Sequence, residues 1–347
     1  MQIFKETANR NRICILSELP TGIRYYHAGP ARAHFADKTD SAIACLGCVN
    51  PACMYFSEEE VCCDTVEGFP HDQSLSVCPM EAMKWNDCAD SPSIDTTKCI
   101  DCGICISRCP VGAIYFDGRI KVNLDSSSKQ RYYKVDAKSI GAHIKQLDEL
   151  ERVGRKGVMI SESDELMNII YDKLSHVRNN YHNIIGRNLL IALGCKCSMR
   201  RIGDVYTRMD AIYTSRGGTF GAVEIEFGRD TLDASRGVLD DIAVLYTRYG
   251  VDKFTNKVLV VCLQLPNARQ GYWQVVKDVK TVEHIKISTI TIGALMLLVW
   301  NGRLFIPESD SYYVDYDNMS IRDTLIKQIG RTINISDKEL GILEPLK

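Results

Sequence analysis

The stretch that most restricts this chain is CIDCGICISRCP, residues 99–110. Cys99, Cys102, Cys105 and Cys109 stand at C-x2-C-x2-C-x3-C spacing, with Pro110 directly after. Three such closely spaced thiolates wrap one iron–sulfur cube, while the fourth reaches away and the proline turns the chain. Zinc sites seldom use this spacing. The first residues, MQIFKETANRNRICILSEL, show neither a continuous apolar stretch nor a small-residue cleavage site, so they do not read as a secretory signal. A cytoplasmic, reducing compartment is the expectation, and there cysteines serve as metal ligands more often than as disulfides.

A second group precedes the first. CLGCVNPAC supplies Cys45, Cys48 and Cys53, and CPMEAM, much later, supplies Cys78 and Pro79. CPMEAM pairs with CPVGAI (109–114), which marks an internal repeat. On these motifs residues 41–122 resemble the two-cluster bacterial-type ferredoxins. The resemblance implies one [4Fe-4S] cluster on Cys45, Cys48, Cys53 and Cys109, and another on Cys78, Cys99, Cys102 and Cys105, each run lending its last cysteine to the other cube. The chain departs from that pattern in one place: 24 residues separate Cys53 from Cys78. Cys62 and Cys63 lie inside this insertion and could stand in for Cys53 or Cys78. As free thiols they would join Cys88, and that is the favoured reading.

Cysteines thin out after residue 122, and DSSSKQR (125–131) has linker composition. AKSIGAHIKQLDELERV and SESDELMNIIYDKLSHVRNNY have helical periodicity, the second with acids in its first turn. The organisation expected is an N-terminal extension (1–40), a two-cluster ferredoxin-like α+β domain (41–124), a linker and helical connector (125–180) and an α/β domain (181–347).

In the last of these, HNIIGRNLLIALG reads as a helix closed by Gly194, and GDVYTRMDAIYTS and TFGAVEIEFG as the arms of a hairpin around RGG, 216–218. DTLDASRGVLDDIAVLYTRYG reads as a helix and NKVLVVCLQLP as a covered strand. GYWQVVKDVKTV reads as a helix, and residues 285–300 as one or two further strands. The order is α-β-β-α-β, a mixed sheet with helices on its faces. ISTITIGALMLLVW, the longest apolar run at 14 residues, falls short of a membrane span, so no membrane partner is expected.

On a strand, residues two apart share a face. VEIEF therefore aims Glu224 and Glu226 one way and Val223, Ile225 and Phe227 the other. Asp210, on the first arm, precedes Glu224 by 14 residues. On this D…ExE hairpin, residues 181–300 resemble the PD-(D/E)XK, restriction-endonuclease-like nucleases, with Glu226 where that superfamily usually carries lysine. The resemblance implies catalysis by Asp210, Glu224 and Glu226. Independently, phosphodiester hydrolysis calls for a divalent cation on hard oxygen ligands. Asp210, Glu224 and the Ile225 carbonyl fit Mg²⁺ or Mn²⁺, and Glu226 would orient the water, accept its proton or bind a second ion. The plainer reading makes Glu224 and Glu226 the wet face of an amphipathic strand.

Overall charge is −2, which excludes a global field for polyanions. Residues 196–216 run against it: Lys196, Arg200, Arg201, Arg208 and Arg216 face only Asp204 and Asp210, a local +3 suited to phosphate contact. The expectation is a DNA endonuclease fused to an iron–sulfur module, in restriction or antiviral defence. No ATPase loop is present, so strand separation would need a helicase, ATPase or other defence-protein partner. Self-association as a homo-oligomer stays open. The alternatives are an iron–sulfur electron-transfer subunit and a nucleic-acid binder that does not cleave.

Overall fold

The computed structural model describes residues 4–6, 13–15, 51–86, 91–109, 114–116, 122–124, 164–228, 231–308, 310–336 and 340–347. Cys45, Cys48, Cys88, Pro110, the linker at 125–131 and the helical pattern at 137–153 lie outside these residues. The chain forms two compact units: Met1–Ser57, Leu75–Ser161 and Val299–Gly302 make the first, and Glu58–Ser74, Glu162–Leu298 and Arg303–Lys347 the second.

The first unit is built from short antiparallel pairs. β1 (Phe4–Glu6) pairs with β2 (Ile13–Ile15). A single helical turn, α1 (Glu58–Val61), follows in sequence and belongs to the second unit. Back in the first unit, β3 (Met83–Asn86) pairs with β4 (Ser91–Ile94), the short helix α2 spans Ile104–Arg108, and β5 (Ile114–Phe116) pairs with β6 (Val122–Leu124). The chain leaves this unit after Ser57 and re-enters at Leu75, and the two ends are zipped together. Phe56 N–H donates to the Leu75 carbonyl at 2.7 Å and Val77 N–H to the Met54 carbonyl at 2.9 Å. Phe56, Val77, Ile100, Ile104, Ile106 and Ile114 form its buried apolar interior. Arg108 is buried as well; its guanidinium lies 4.6 Å from the centre of the Phe56 ring and donates to the Ala52 carbonyl.

The second unit opens with α3 (Asp164–Ser175), a 3₁₀ turn (Asn179–Tyr181) and α4 (His182–Ala192). The chain reverses at Gly194, whose φ of +88° suits glycine. Then follow β7 (Lys196–Met199), β8 (Ala211–Thr214), β9 (Phe220–Glu226), α5 (Leu232–Tyr249), β10 (Leu259–Cys262), α6 (Tyr272–Glu283), β11 (Ser288–Thr291), α7 (Ile292–Trp300), whose last two residues, Val299 and Trp300, count with the first unit, and α8 (Arg322–Ile329). The sheet order is β11-β10-β9-β8-β7. β7, β8 and β9 are antiparallel neighbours, and β9, β10 and β11 run parallel. This is a mixed sheet with flanking helices.

Local chemistry accounts for these elements. All four residues of β10, Leu-Val-Val-Cys, are buried, as a centrally placed strand requires. On α5, Ala234, Val238, Asp241, Ile242 and Leu245 recur at helical spacing and are buried. Gly250 ends the helix in the left-handed region at φ 69°. The backbone closes most tightly at Gly221, where an added Cβ would fall 2.0 Å from the Lys257 carbonyl oxygen.

Two strand expectations are corrected. Only Ala211–Thr214 of the 203–215 stretch is extended, and its partner across the sheet edge is Lys196–Met199, a strand not foreseen. Residues 285–300 supply one strand and then the helix α7, because the run Ile292–Trp300 is buried on every side and carries no period that separates strand from helix.

The insertion between Cys53 and Cys78 has a definite place. Within the second unit, Glu58–Ser74 runs along β7. Asp72 N–H donates to the Met199 carbonyl, Arg201 N–H to the Pro70 carbonyl, and His71 bridges Arg200. Ser198 Oγ accepts from Cys63 N–H at 2.6 Å and donates to the Val61 carbonyl. Lys196 pairs with Asp64 at 2.8 Å, and the buried Arg187 with Asp72 at 3.3 Å. The insertion covers a sheet edge that would otherwise present unpaired backbone.

Candidate metal centres

The cysteine loop is shaped by backbone that few residues adopt. Asp101 has φ 56° and Gly103 φ 77°, so the chain coils left-handed twice within Cys99–Cys105 before α2 begins. Each reversal turns the next thiol back toward the same volume. Ser107 Oγ donates to the Ile104 carbonyl and fixes the first turn of α2. Trp300, buried in the same unit, donates its indole N–H to the Cys102 carbonyl at 2.8 Å. Cys78 Sγ accepts from Ala82 N–H at 3.2 Å.

These constraints bring Cys78, Cys99, Cys102 and Cys105 into one electrostatically interacting group, which Cys53 also reaches through Cys105. Burial, reinforced by neighbouring acids or thiols, pushes the Cys99 thiol up to about 12 and raises those of Cys102 and Cys105 well above the ordinary thiol value. Thiols so placed ionise only beside positive charge, which iron supplies. No disulfide joins any described cysteine. Cys63 lies in the second unit with its Sγ 2.8 Å from Thr214 Oγ1. Cys195, Cys197 and Cys262 are buried in that unit too.

The acid face belongs to the second unit. Asp210 stands one residue ahead of β8, opposite Glu224 by continuation of the Ala211–Val223 register. Its Oδ2 accepts the Ile225 N–H at 3.0 Å and its Oδ1 accepts from Asn183 Nδ2, on α4, at 2.7 Å. Arg200, just past β7, has its guanidinium 3.7 Å from Oδ1, and donates to the Thr207 carbonyl at 2.8 Å. The alternation expected for β9 is observed: Val223, Ile225 and Phe227 are buried, while Glu224 and Glu226 are half-buried on the other face. Ile225 meets α4 at Gly186, where an added Cβ would fall 2.7 Å from Ile225 Cδ1.

Glu224 faces α5, and one residue there escaped the sequence reading. Asp241 is 1% exposed, and both of its carboxylate oxygens lack a hydrogen-bond donor while Glu224 is ionised. A proton held on Glu224 would provide one. Burial raises both carboxyls well above the ordinary range; at Glu224 repulsion from Asp241 and Asp210 adds to it, while at Asp241 the hydrogen bond with Glu224 pulls the other way and Asp210 and Asp240 repel. Burial raises Asp210 as well, against the pull of Ile225 N–H, Asn183 and Arg200. The signal for Asp241 was available: it occupies an apolar-face position of α5, in register with Val238, Ile242 and Leu245.

Glu226 is arranged differently. Its Oε1 accepts the Gly228 N–H at 2.5 Å, at the end of β9. His182 lies near it, stacked on Phe227 with ring centres 4.3 Å apart, and burial lowers the imidazole pKa against the pull of Glu226. Among the described residues, no three His, Cys, Asp or Glu side chains are already drawn in around one metal position. The donor chemistry nevertheless suits a hard divalent cation: Asp210 and Glu224 on adjacent strands, with an orphaned buried carboxylate beside them.

The basic segment is not one surface. Arg200 is turned to Asp210 and Lys196 is paired with Asp64, whereas Arg201, Arg208 and Arg216 are exposed. Arg201 and Arg208 flank a loop on which Ile202, Val205 and Tyr206 are also exposed.

Residues 92–115 match the 4Fe-4S binding domain family. The chain is also 30% identical over 83 residues to an uncharacterized ferredoxin of Methanocaldococcus jannaschii, a match covering 22% of this chain and 52% of that protein. The chain thus spans about half the length of the curated relative it matches. No solved structure matches it. The N-terminal region is therefore a ferredoxin-type iron–sulfur region. Among the described residues no helix is long and apolar enough to cross a membrane.

Proposed function

We propose that this protein is a divalent-cation-dependent DNA endonuclease of the PD-(D/E)XK type, built onto a two-cluster iron–sulfur module. The observation that carries this reading is the pairing of Asp210 and Glu224 across β8 and β9, with Asp210 fixed from both sides by Ile225 N–H and Asn183. Asp210, Glu224 and the Ile225 carbonyl would hold Mg²⁺ or Mn²⁺. When bound, that ion would polarise a phosphoryl oxygen and acidify a water. The protein's own groups supply the rest. Asn183 orients the Asp210 carboxylate. Arg200 offsets part of the acid charge and brings positive charge beside the scissile phosphate. Glu226 receives the proton of the attacking water. Arg201, Arg208 and Arg216 contact the phosphate backbone, an interaction that weakens steeply with salt.

Cys78, Cys99, Cys102 and Cys105 would hold one [4Fe-4S] cluster, and Cys45, Cys48, Cys53 and Cys109 the other. Cluster binding supplies folding free energy to a region of short strands with a small apolar interior.

The test is incubation of anaerobically purified protein with plasmid and with single-stranded DNA, with and without Mg²⁺. Mg²⁺-dependent cleavage that disappears in Asp210→Ala is the expected result. Cleavage unchanged in that variant removes this active site, and DNA retention without cleavage in Mg²⁺ or Mn²⁺ points to a binder alone.

A second reading is an electron-transfer subunit. The 4Fe-4S domain match and the ferredoxin relative favour it. Reversible cluster reduction coupled to a partner enzyme, with no nucleic-acid binding, would establish it instead.

A further inference from the structure

We propose that Asp241, on α5, is a third carboxylate ligand of the divalent cation held at Asp210 and Glu224, so that the ion is gripped between the sheet and the helix packed on it. The inference rests on the cation-site reading of Asp210 and Glu224 and adds a ligand from an element outside the hairpin.

Asp241 lies on α5 above Glu224. It occupies the buried face of an amphipathic helix, a place that Val238, Ile242 and Leu245 show to be apolar. While Glu224 is ionised, a carboxylate there has no hydrogen-bond donor on either oxygen, which costs several kcal/mol. A residue with only a packing role would be apolar, or an amide able to satisfy itself. Glu224 lies beneath the same helix face: an added Cβ at Gly237, one turn before Asp241, would come within 3.9 Å of Glu224 Cδ. The absence of a side chain at Gly237 keeps that approach open.

Among the described residues, charge compensation falls short. Arg200 acts on all three acids, and its guanidinium is already engaged by the Thr207 carbonyl and by Asp210. With all three carboxyls ionised, one positive charge leaves two negative charges uncompensated. A proton on Glu224 meets one oxygen of Asp241 and leaves the other bare. A divalent ion satisfies both carboxylates and removes the repulsion between them.

Glu226 does not fill this role. Its Oε1 accepts the Gly228 N–H, which anchors the side chain at the strand end, whereas Asp241 faces Glu224 from α5. Asp210, Glu224 and Asp241 then supply three hard oxygen donors from three different elements, with Asn183 orienting the first.

The test uses the full chain and Mn²⁺ alone, without nucleic acid, and compares the wild type with Asp241→Asn and Asp240→Asn. Asp240 is the exposed neighbour on the same helix, so the two variants remove the same charge one residue apart. Titration calorimetry is expected to give tight Mn²⁺ uptake by the wild type and by Asp240→Asn. In Asp241→Asn the affinity falls about tenfold or more, a loss at least as large as that from removing an outer-shell partner. Thermal denaturation in chelator verifies that Asp241→Asn is folded. Asp241→Leu, which suits the buried helix face, provides a second folded variant with the same expected loss. Uptake by Asp241→Asn equal to that of Asp240→Asn overturns the inference and leaves the Asp210–Glu224 site standing. No Mn²⁺ uptake by the wild type overturns both.

Discussion

The thiol group of the first unit and the acid face of the second both gather side chains that carry like charge when ionised, but from different reaches of chain. Three of the four interacting thiols come from one seven-residue stretch, Cys99–Cys105, shaped by two left-handed residues. Asp210, Glu224 and Asp241 come from a turn, a strand and a helix, and their approach depends on the register of β8 against β9 and on the seat of α5. A local site survives small changes in the surrounding fold, whereas a site drawn from three elements inherits every error in how they pack. The thiol group should therefore fail through loss of a ligand, and the acid face through loss of support as well.

The largest effect belongs to the ligands themselves. Cys105→Ser is expected to remove one cluster's worth of iron and visible absorbance from anaerobically purified protein, measured by iron analysis and spectroscopy. Retention of full iron content would show that the thiol group near Cys105 is not a cluster site.

Support of the acid face comes next. Gly221→Ala places a methyl group against the Lys257 carbonyl, so β9 must shift from its neighbours. The expected destabilisation is about 1–3 kcal/mol in denaturant unfolding, with cation affinity falling alongside. Asn183→Ala leaves all three acids in place but removes the amide donor from Asp210 Oδ1, which keeps only the more distant Arg200 guanidinium. About a tenfold to hundredfold loss of Mg²⁺-dependent activity is expected with little change in stability. If Asn183→Ala behaves like wild type while Gly221→Ala does not, strand register rather than orientation of Asp210 governs the site.

The pH response of the cation-free protein separates the regions further. Folding raises the carboxyl pKa values of Glu224, Asp241 and Asp210, so the folded chain binds more protons than the unfolded one. Their contribution to stability is present below the ordinary carboxylate range and is lost as pH rises through the raised values. In chelator, melting temperature should fall as pH rises from about 5 to about 8, with a slope of up to about 1.4 kcal/mol per pH unit for each extra proton held. Mg²⁺ should reduce the slope, because the cation takes the proton's place. The smallest effect is expected from Trp300→Phe, which removes one hydrogen bond to the Cys102 carbonyl, worth about 1 kcal/mol, and leaves iron content intact.

The same contrast governs what the amino-acid sequence discloses. Cysteine spacing is a local signal, and Cys99, Cys102 and Cys105 are legible because their ligand geometry follows from adjacency in the chain. The alternation that turns Glu224 and Glu226 away from Ile225 is equally local. β7 was not legible, because KCSM lacks a strand pattern and becomes extended by pairing with β8 and by the Glu58–Ser74 segment laid along it. α7 was not legible because burial on every side erases periodicity. Asp241 was hidden for a third reason. The helix was read by its apolar spacing, and an acid in the apolar register stands out only when the strand beneath that face is known to carry another.

The most direct test of the central claim is a Mg²⁺ titration of plasmid cleavage by anaerobically purified wild type and Glu224→Ala. The acid-face account predicts saturable, Mg²⁺-dependent nicking by the wild type. It also predicts a loss of about a thousandfold in Glu224→Ala, the worth of several kcal/mol of charge stabilisation. Equal cleavage by both proteins across the titration would contradict it.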